Sequence, residues 1–280
     1  MFAITACSHK TETKQSSNAD QSEEILVATE ASKKNRNASF HSFDGTKIAY
    51  SDEGSGKPVL LIHGFISNAT SWDKSVLKEK LLTNGYRVIV PDLRGNGNSD
   101  RPQNPVAYKN DAEVKDLTAL VNHLKIEDYI AIGYSRGSIV LAKLLTTEKR
   151  ISKAVIGGMG FDFTKPNWDR RIAFANAFSG RSELTEMTRG AVEYAKSINA
   201  DIKVLGFLQE FQPVTLPNQL RNITIKTLVI CGDQDKDNGD PSTLQNHLPN
   251  STLVLVKGDH NNTYKQANFA DAILDFLRKD

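Results

Sequence analysis

The sequence predicts an α/β fold, with a mostly parallel central sheet and helices on both faces. Three observations predict it. Short unbroken apolar runs recur along the chain, segments with apolar residues three and four apart lie between them, and a hairpin signature precedes them all. Unbroken apolar runs suit strands buried on both faces, and strands alternating with helices build parallel βαβ units.

The 280 residues suffice for one sizeable domain and are too few for two of ordinary size. Residues 8–38 are mostly Ser, Thr, Lys, Glu, Asn and Gln, with one apolar cluster at Ile25-Leu26-Val27. Such a stretch buries too little surface to offset its ordering entropy, so residues 1–38 are expected to form a disordered tail or tether. The opening Met1-Phe2-Ala3-Ile4-Thr5-Ala6-Cys7-Ser8 resembles the end of a bacterial lipoprotein signal, with Cys7 as the lipidated residue. The basic start and apolar stretch of roughly 7–15 residues that such a signal needs are missing. A lipid anchor at Cys7 is therefore expected only if a longer precursor exists; the competing reading is a frayed cytosolic terminus. Localisation stays open between the cytoplasm and a bacterial cell-envelope lipoprotein.

The domain is expected over residues 39–280. Ser39 to Phe43 alternates, Asp44-Gly45 supplies a tight turn, and Thr46 to Tyr50 alternates again, which reads as an antiparallel hairpin at one edge of the sheet. The apolar runs are Val59 to Ile62, Val88 to Val90, Tyr129 to Ile132, Ala154 to Ile156, Thr227 to Ile230 and Leu253 to Val256. Helices are expected where Val114, Leu117, Leu120, Val121 and Leu124 share a face, again at Ile139, Val140, Leu144 and Leu145, and terminally at Phe269, Ile273, Phe276 and Leu277. Cys231 ends one apolar run and is expected to be a small buried core residue, not a partner of Cys7. Residues 161–219 contain no strand-like run but three helical segments, near 168–178, 183–198 and 202–211. An insertion there should lie over the C-terminal edge of the sheet, where open α/β sheets bind ligands, and is read as a small helical cap.

Lys plus Arg number 35 against 33 Asp plus Glu, a formal net charge of +2. That balance gives no reason to expect a nucleic-acid partner. There is no run of about eighteen apolar residues, so no transmembrane span is expected.

Gly133-Tyr134-Ser135-Arg136-Gly137 directly follows one strand run and opens a helix. A sharp strand-to-helix turn holds such a serine in a strained conformation, and the glycines permit the close approach of neighbouring chains. The competing reading is a serine in a tight structural turn. A hydroxyl is a poor nucleophile until a base takes its proton. Of six histidines, His260 lies just past the C-terminal end of the last strand, on the same rim as Ser135; His247, in a polar helix, is a distant second. The third member should be a carboxylate at a strand end between the two. Asp235 is preferred within Asp233, Asp235 and Asp237, and Asp162 is the alternative. The aspartate spacing resembles a calcium loop, but its glycine comes one position late at Gly239 and no Glu closes it, so an acid loop is preferred to a metal site. An oxyanion hole would use the N–H of Arg136 and that of Phe65, in the loop His63-Gly64-Phe65. In that loop, His63 itself reads as a brace.

His63-Gly64-Phe65, Gly133 to Gly137, Gly232-Asp233-Gln234-Asp235 and Gly258-Asp259-His260 occur in the order found in the α/β-hydrolase superfamily, which the chain resembles from Phe40 onward. Asp92-Leu93-Arg94-Gly95-Asn96-Gly97-Asn98-Ser99 is similar to the D-x-R-G-x-G-x-S loop of its capped esterase, haloperoxidase-like and epoxide-hydrolase-like branch. Ser135 in place of Asp at the elbow counts against dehalogenase or epoxide hydrolase activity. Arg136 and Asn96 depart from the commoner residues, and Arg136 either pairs with an acidic neighbour or favours an anionic substrate group.

The resemblance implies an α/β-hydrolase fold and two-step acyl transfer, with Ser135 as nucleophile, His260 as base and Asp235 as orienting acid, and requires no cofactor or metal. The expected partner is a small or medium carboxylic ester, with Tyr134, Phe161 and Trp168 as substrate contacts. The cap aromatics, which include Phe163, Phe174 and Phe178, equally suit a cap core. The alternatives are amide, thioester or C–C bond hydrolysis on the same triad, or a non-enzymatic binding protein of the same fold.

Overall fold

The computed structural model describes residues 35–279; the expectations for the preceding tail, with Cys7 and its lipid anchor, lie outside them. Eight strands form one sheet: β1 (Asn35–His41), β2 (Lys47–Glu53), β3 (Pro58–Ile62), β4 (Arg87–Pro91), β5 (Tyr129–Tyr134), β6 (Ile151–Gly157), β7 (Lys226–Gly232) and β8 (Ser251–Val256). Their spatial order is β1-β2-β4-β3-β5-β6-β7-β8. The first two pairings in that order are antiparallel and all the others parallel, as the hairpin and the apolar runs predict. The hairpin turns at Gly45, whose φ is 83°.

The helices are α1 (Val76–Thr83), α2 (Ala112–His123), α3 (Arg136–Leu144), α4 (Asp169–Phe178), α5 (Glu186–Ser197), α6 (Ile202–Glu210), α7 (Pro217–Leu220), α8 (Pro241–Asn246) and α9 (Ala267–Arg278). Side chains alternate across a strand, and β3 shows what this does here. Leu60 and Ile62 pack with Leu117 and Leu120 of α2 and Ile139 and Val140 of α3. Val59 and Leu61 pack on the other face with Leu77 and Leu81 of α1 and with Phe269, Ile273, Phe276 and Leu277 of α9. Strands buried on both faces have no polar side, which is why they read as unbroken apolar runs.

Two features differ from the pattern. Helix α1 is too short to display a helical period; Ser75 Oγ starts it by accepting from the N–H of Leu77 at 3.2 Å. The run Leu253 to Val256 is, among the described residues, at the sheet edge and paired only with β7, and Leu255 is 55% exposed.

Between β6 and β7 the chain forms α4 to α7. Phe174, Phe178, Val192, Val204 and Leu208 build a separate apolar cluster, joined by Tyr108 and by the half-buried Phe65 from the loop after β3. The same cluster thus holds α4, α5 and α6 together and touches the loop that faces Ser135.

Candidate active site

Strand β5 ends at Tyr134 and α3 begins at Arg136, which leaves Ser135 on the turn, with φ 53° and ψ −125°. Non-glycine residues rarely hold positive φ, and such strain persists only where the surroundings over-determine it. Here they do. A Cβ on Gly133 would sit 2.6 Å from the carbonyl oxygen of Gly137, and one on Gly137 would sit 2.2 Å from that of Ile62. The Ser135 N–H donates to the carbonyl oxygen of Gly157 at 2.9 Å, tying the turn to β6.

Ser135 Oγ lies 2.9 Å from His260 Nε2, and His260 Nδ1 lies 2.7 Å from Asp235 Oδ2. The Asp235 side chain is 3% exposed and that of His260 19%. A proton on Nδ1, donated to the carboxylate, leaves the Nε2 lone pair facing the serine hydroxyl. The Asn238 side-chain amide lies 3.2 Å from the same Nδ1. With the proton there, the amide orientation that presents its oxygen is the one that accepts. Tyr134 holds the histidine from below: its hydroxyl donates to the carbonyl oxygen of His260 at 2.8 Å.

The other candidates lie elsewhere. Asp162 accepts from Lys165 Nζ at 2.6 Å, and Asp233 accepts from the N–H of Gly258 at 3.1 Å. Asp237 is exposed and comes within 3.9 Å of Arg170. His247 donates from Nδ1 to the carbonyl oxygen of Thr243 at 2.8 Å, and its ring packs against Phe161 at a tilt of 33°.

The loop after β3 passes against the serine, since a Cβ on Gly64 would meet Ser135 Cβ at 3.3 Å. Ile66, a β-branched residue, sits at φ 50° in this loop. His63 braces it: Nδ1 donates to the carbonyl oxygen of Gly64 at 2.9 Å, and Nε2 accepts from the N–H of Leu93 at 3.0 Å. Burial pushes the His63 imidazole below its ordinary value, so it is neutral there. The neighbouring Asp92 loop is a second brace. Asp92 accepts from the N–H groups of Ala69 and Asn98, and the buried Arg94 guanidinium bridges Asp116 and Asp44. The N–H of Arg136, in the first turn of α3, has no intrahelical acceptor and lies at the positive end of the helix dipole.

Ser135 and His260 open onto a cavity of about 400 Å³, counting its open mouth, walled by Phe65, Ile139, Met159, Trp168 and Phe174. Of the expected substrate contacts, Trp168 lines it. Tyr134 and Phe161 do not: the first is buried under His260 and the second packs against His247. The Arg136 side chain turns to Glu113 and binds both carboxylate oxygens, at 2.6 and 2.5 Å. Asn238, Gln209, Gln212, Arg170 and Arg171 complete the polar wall. None of these five was singled out from sequence; the adjacent arginines beside Trp168 were the available signal.

Residues 57–168 match the family model of the alpha/beta hydrolase fold. A non-heme chloroperoxidase of Kitasatospora aureofaciens is 35% identical over 277 residues, covering 84% of this chain and 98% of the relative. A bromoperoxidase from Bacillus anthracis is similar in structure, with a TM-score of 0.69 at 26% identity, over 87% of this chain and 100% of the other. An esterase from Exiguobacterium antarcticum shares the fold, with a TM-score of 0.73 at 22% identity, over 87% and 100% of the two chains. The motif order, the eight-stranded sheet and these relatives agree, and the chain belongs to the alpha/beta hydrolase fold family.

Proposed function

We propose that this chain is a serine hydrolase that cleaves small or medium carboxylic esters through an acyl-enzyme. The observation that carries the reading is the chain of contacts from Ser135 Oγ to His260 Nε2 at 2.9 Å and from His260 Nδ1 to Asp235 Oδ2 at 2.7 Å. His260 Nε2 takes the hydroxyl proton as Ser135 Oγ bonds to the ester carbonyl carbon, and Asp235 stabilises the imidazolium that forms. The backbone N–H groups of Phe65 and Arg136 hold the oxyanion. Collapse breaks the bond to the leaving oxygen, which takes the proton from His260 and departs as the alcohol. Water, deprotonated by the same imidazole, then releases the acid and restores Ser135.

The relative named a chloroperoxidase does not change which residues are assigned to the acyl transfer. The test is labelling with a fluorophosphonate probe, in wild type and in Ser135→Ala. Labelling of the wild type alone supports the reading; a folded wild type that resists the probe excludes it.

A further inference from the structure

The cavity in front of Ser135 is lined by both apolar and cationic side chains. Among the described residues, its lining includes Arg136, Arg170 and Arg171 and neither Asp nor Glu. Glu113 neutralises Arg136. The other two arginines are held differently. Arg171 Nη1 donates to the carbonyl oxygen of Glu210 at 3.0 Å and Nη2 to that of Pro166, while its Nε is buried without a hydrogen-bond partner. The carboxylate of Glu210 is itself engaged by Arg181 at 3.0 Å. Arg170 lies over the Phe174 ring at 5.0 Å and approaches the exposed Asp237 only to 3.9 Å. Gln212, 5% exposed, also keeps a buried side-chain N–H group, on Nε2, without a partner.

Buried donors are nearly always satisfied, and a guanidinium taken out of water without a carboxylate is costly. Burial indeed pushes Arg171 below its ordinary value. Arginines that line a cavity with no carboxylate among its other lining residues are matched by a ligand that brings the negative charge, and the planar guanidinium fork fits a carboxylate. We infer that the cavity selects esters carrying a free carboxylate, which Arg170 and Arg171 bind while the ester carbonyl lies at Ser135. This rests on the hydrolase reading above. A neutral ester of the same size would cover the same guanidinium groups and return nothing for their lost hydration.

The test uses two matched pairs of esters: monomethyl glutarate against methyl pentanoate, and 4-acetoxybutanoate against butyl acetate. In at least one pair the charged ester should have a kcat/KM at least about tenfold higher, as expected for one gained charge-assisted contact. The ratio should fall towards one in Arg170→Gln/Arg171→Gln, mainly through KM, and should fall with added salt. If the double variant does not fold, Arg170→Gln alone reads the same ratio. Neutral esters preferred in both pairs, or a charge preference that survives the substitutions, overturns the inference. Calorimetric binding of glutarate to Ser135→Ala separates the two readings. Binding that needs the arginines, with no ester turned over by wild type, removes the hydrolase reading and keeps carboxylate recognition; ester turnover without glutarate binding does the reverse.

Discussion

Arg136, the residue after the candidate nucleophile, closes a two-pronged buried ion pair with Glu113 of α2, and its Nη2 also donates to the carbonyl oxygen of Leu208 in α6 at 2.8 Å. One side chain therefore ties the serine turn to α2 and to α6. Removing one partner of such a pair strands the other charge. Arg136→Met and Glu113→Gln should each cost ~3–5 kcal/mol in urea unfolding. The double variant should recover much of that loss; if it merely sums the two losses, the coupling is absent.

The carboxylate that lies against His260 Nδ1 is that of Asp235, and not that of Asp162 or Asp237. Asp235→Asn should preserve the fold and lower kcat by a factor on the order of 10⁴, because the amide favours the wrong imidazole tautomer. Asp162→Asn and Asp237→Asn should leave ester hydrolysis near the wild-type rate. Equal losses at all three positions would remove the assignment.

His63 links stability to pH. Its folded-state value lies below the ordinary 6.5, so below about that pH the unfolded chain binds the extra proton and the native state does not. Its contribution is full above pH ~6.5 and lost as pH falls through the window beneath it. His63→Gln should cost ~1 kcal/mol at neutral pH, for the altered bonds to Gly64 and Leu93. That gap should narrow between about pH 7 and 5. A gap that widens with acid would mean that His63 is charged in the fold.

Two glycines should respond in opposite directions to alanine. At Gly137 the added carbon meets the Ile62 carbonyl oxygen at 2.2 Å, so Gly137→Ala should destabilise by ~2 kcal/mol or more in thermal unfolding. Gly190 lies within α5 with nothing within 4 Å of an added Cβ. Gly190→Ala should stabilise by ~0.5–1 kcal/mol, because alanine loses less conformational freedom on entering a helix.

The legible parts of this chain were those where a local pattern has one physical solution. Strands β3 and β5 have no polar face, and Phe269, Ile273, Phe276 and Leu277 share one side of a helix, so burial followed from periodicity. The glycines around Ser135 marked the turn because backbone approaches there exclude a Cβ. Side-chain direction was not legible. Tyr134 is adjacent to the serine in sequence but points beneath His260, and Phe161 turns to His247. Asn238 and Gln212 carry no local signature, since their place at the cavity depends on how distant segments meet. Sequence alone leaves Arg136 between an ion pair and a substrate contact, because its partner Glu113 is 23 residues away in sequence.

On the proposed reading, Ser135 carries the acyl group during turnover. Rapid quenching of the wild type with 4-nitrophenyl acetate, followed by intact mass and peptide mapping, tests it directly. A burst of nitrophenol and one acetyl group on the Ser135 peptide are expected, both absent in Ser135→Ala. Steady turnover with no adduct on Ser135, undiminished in Ser135→Ala, would contradict it.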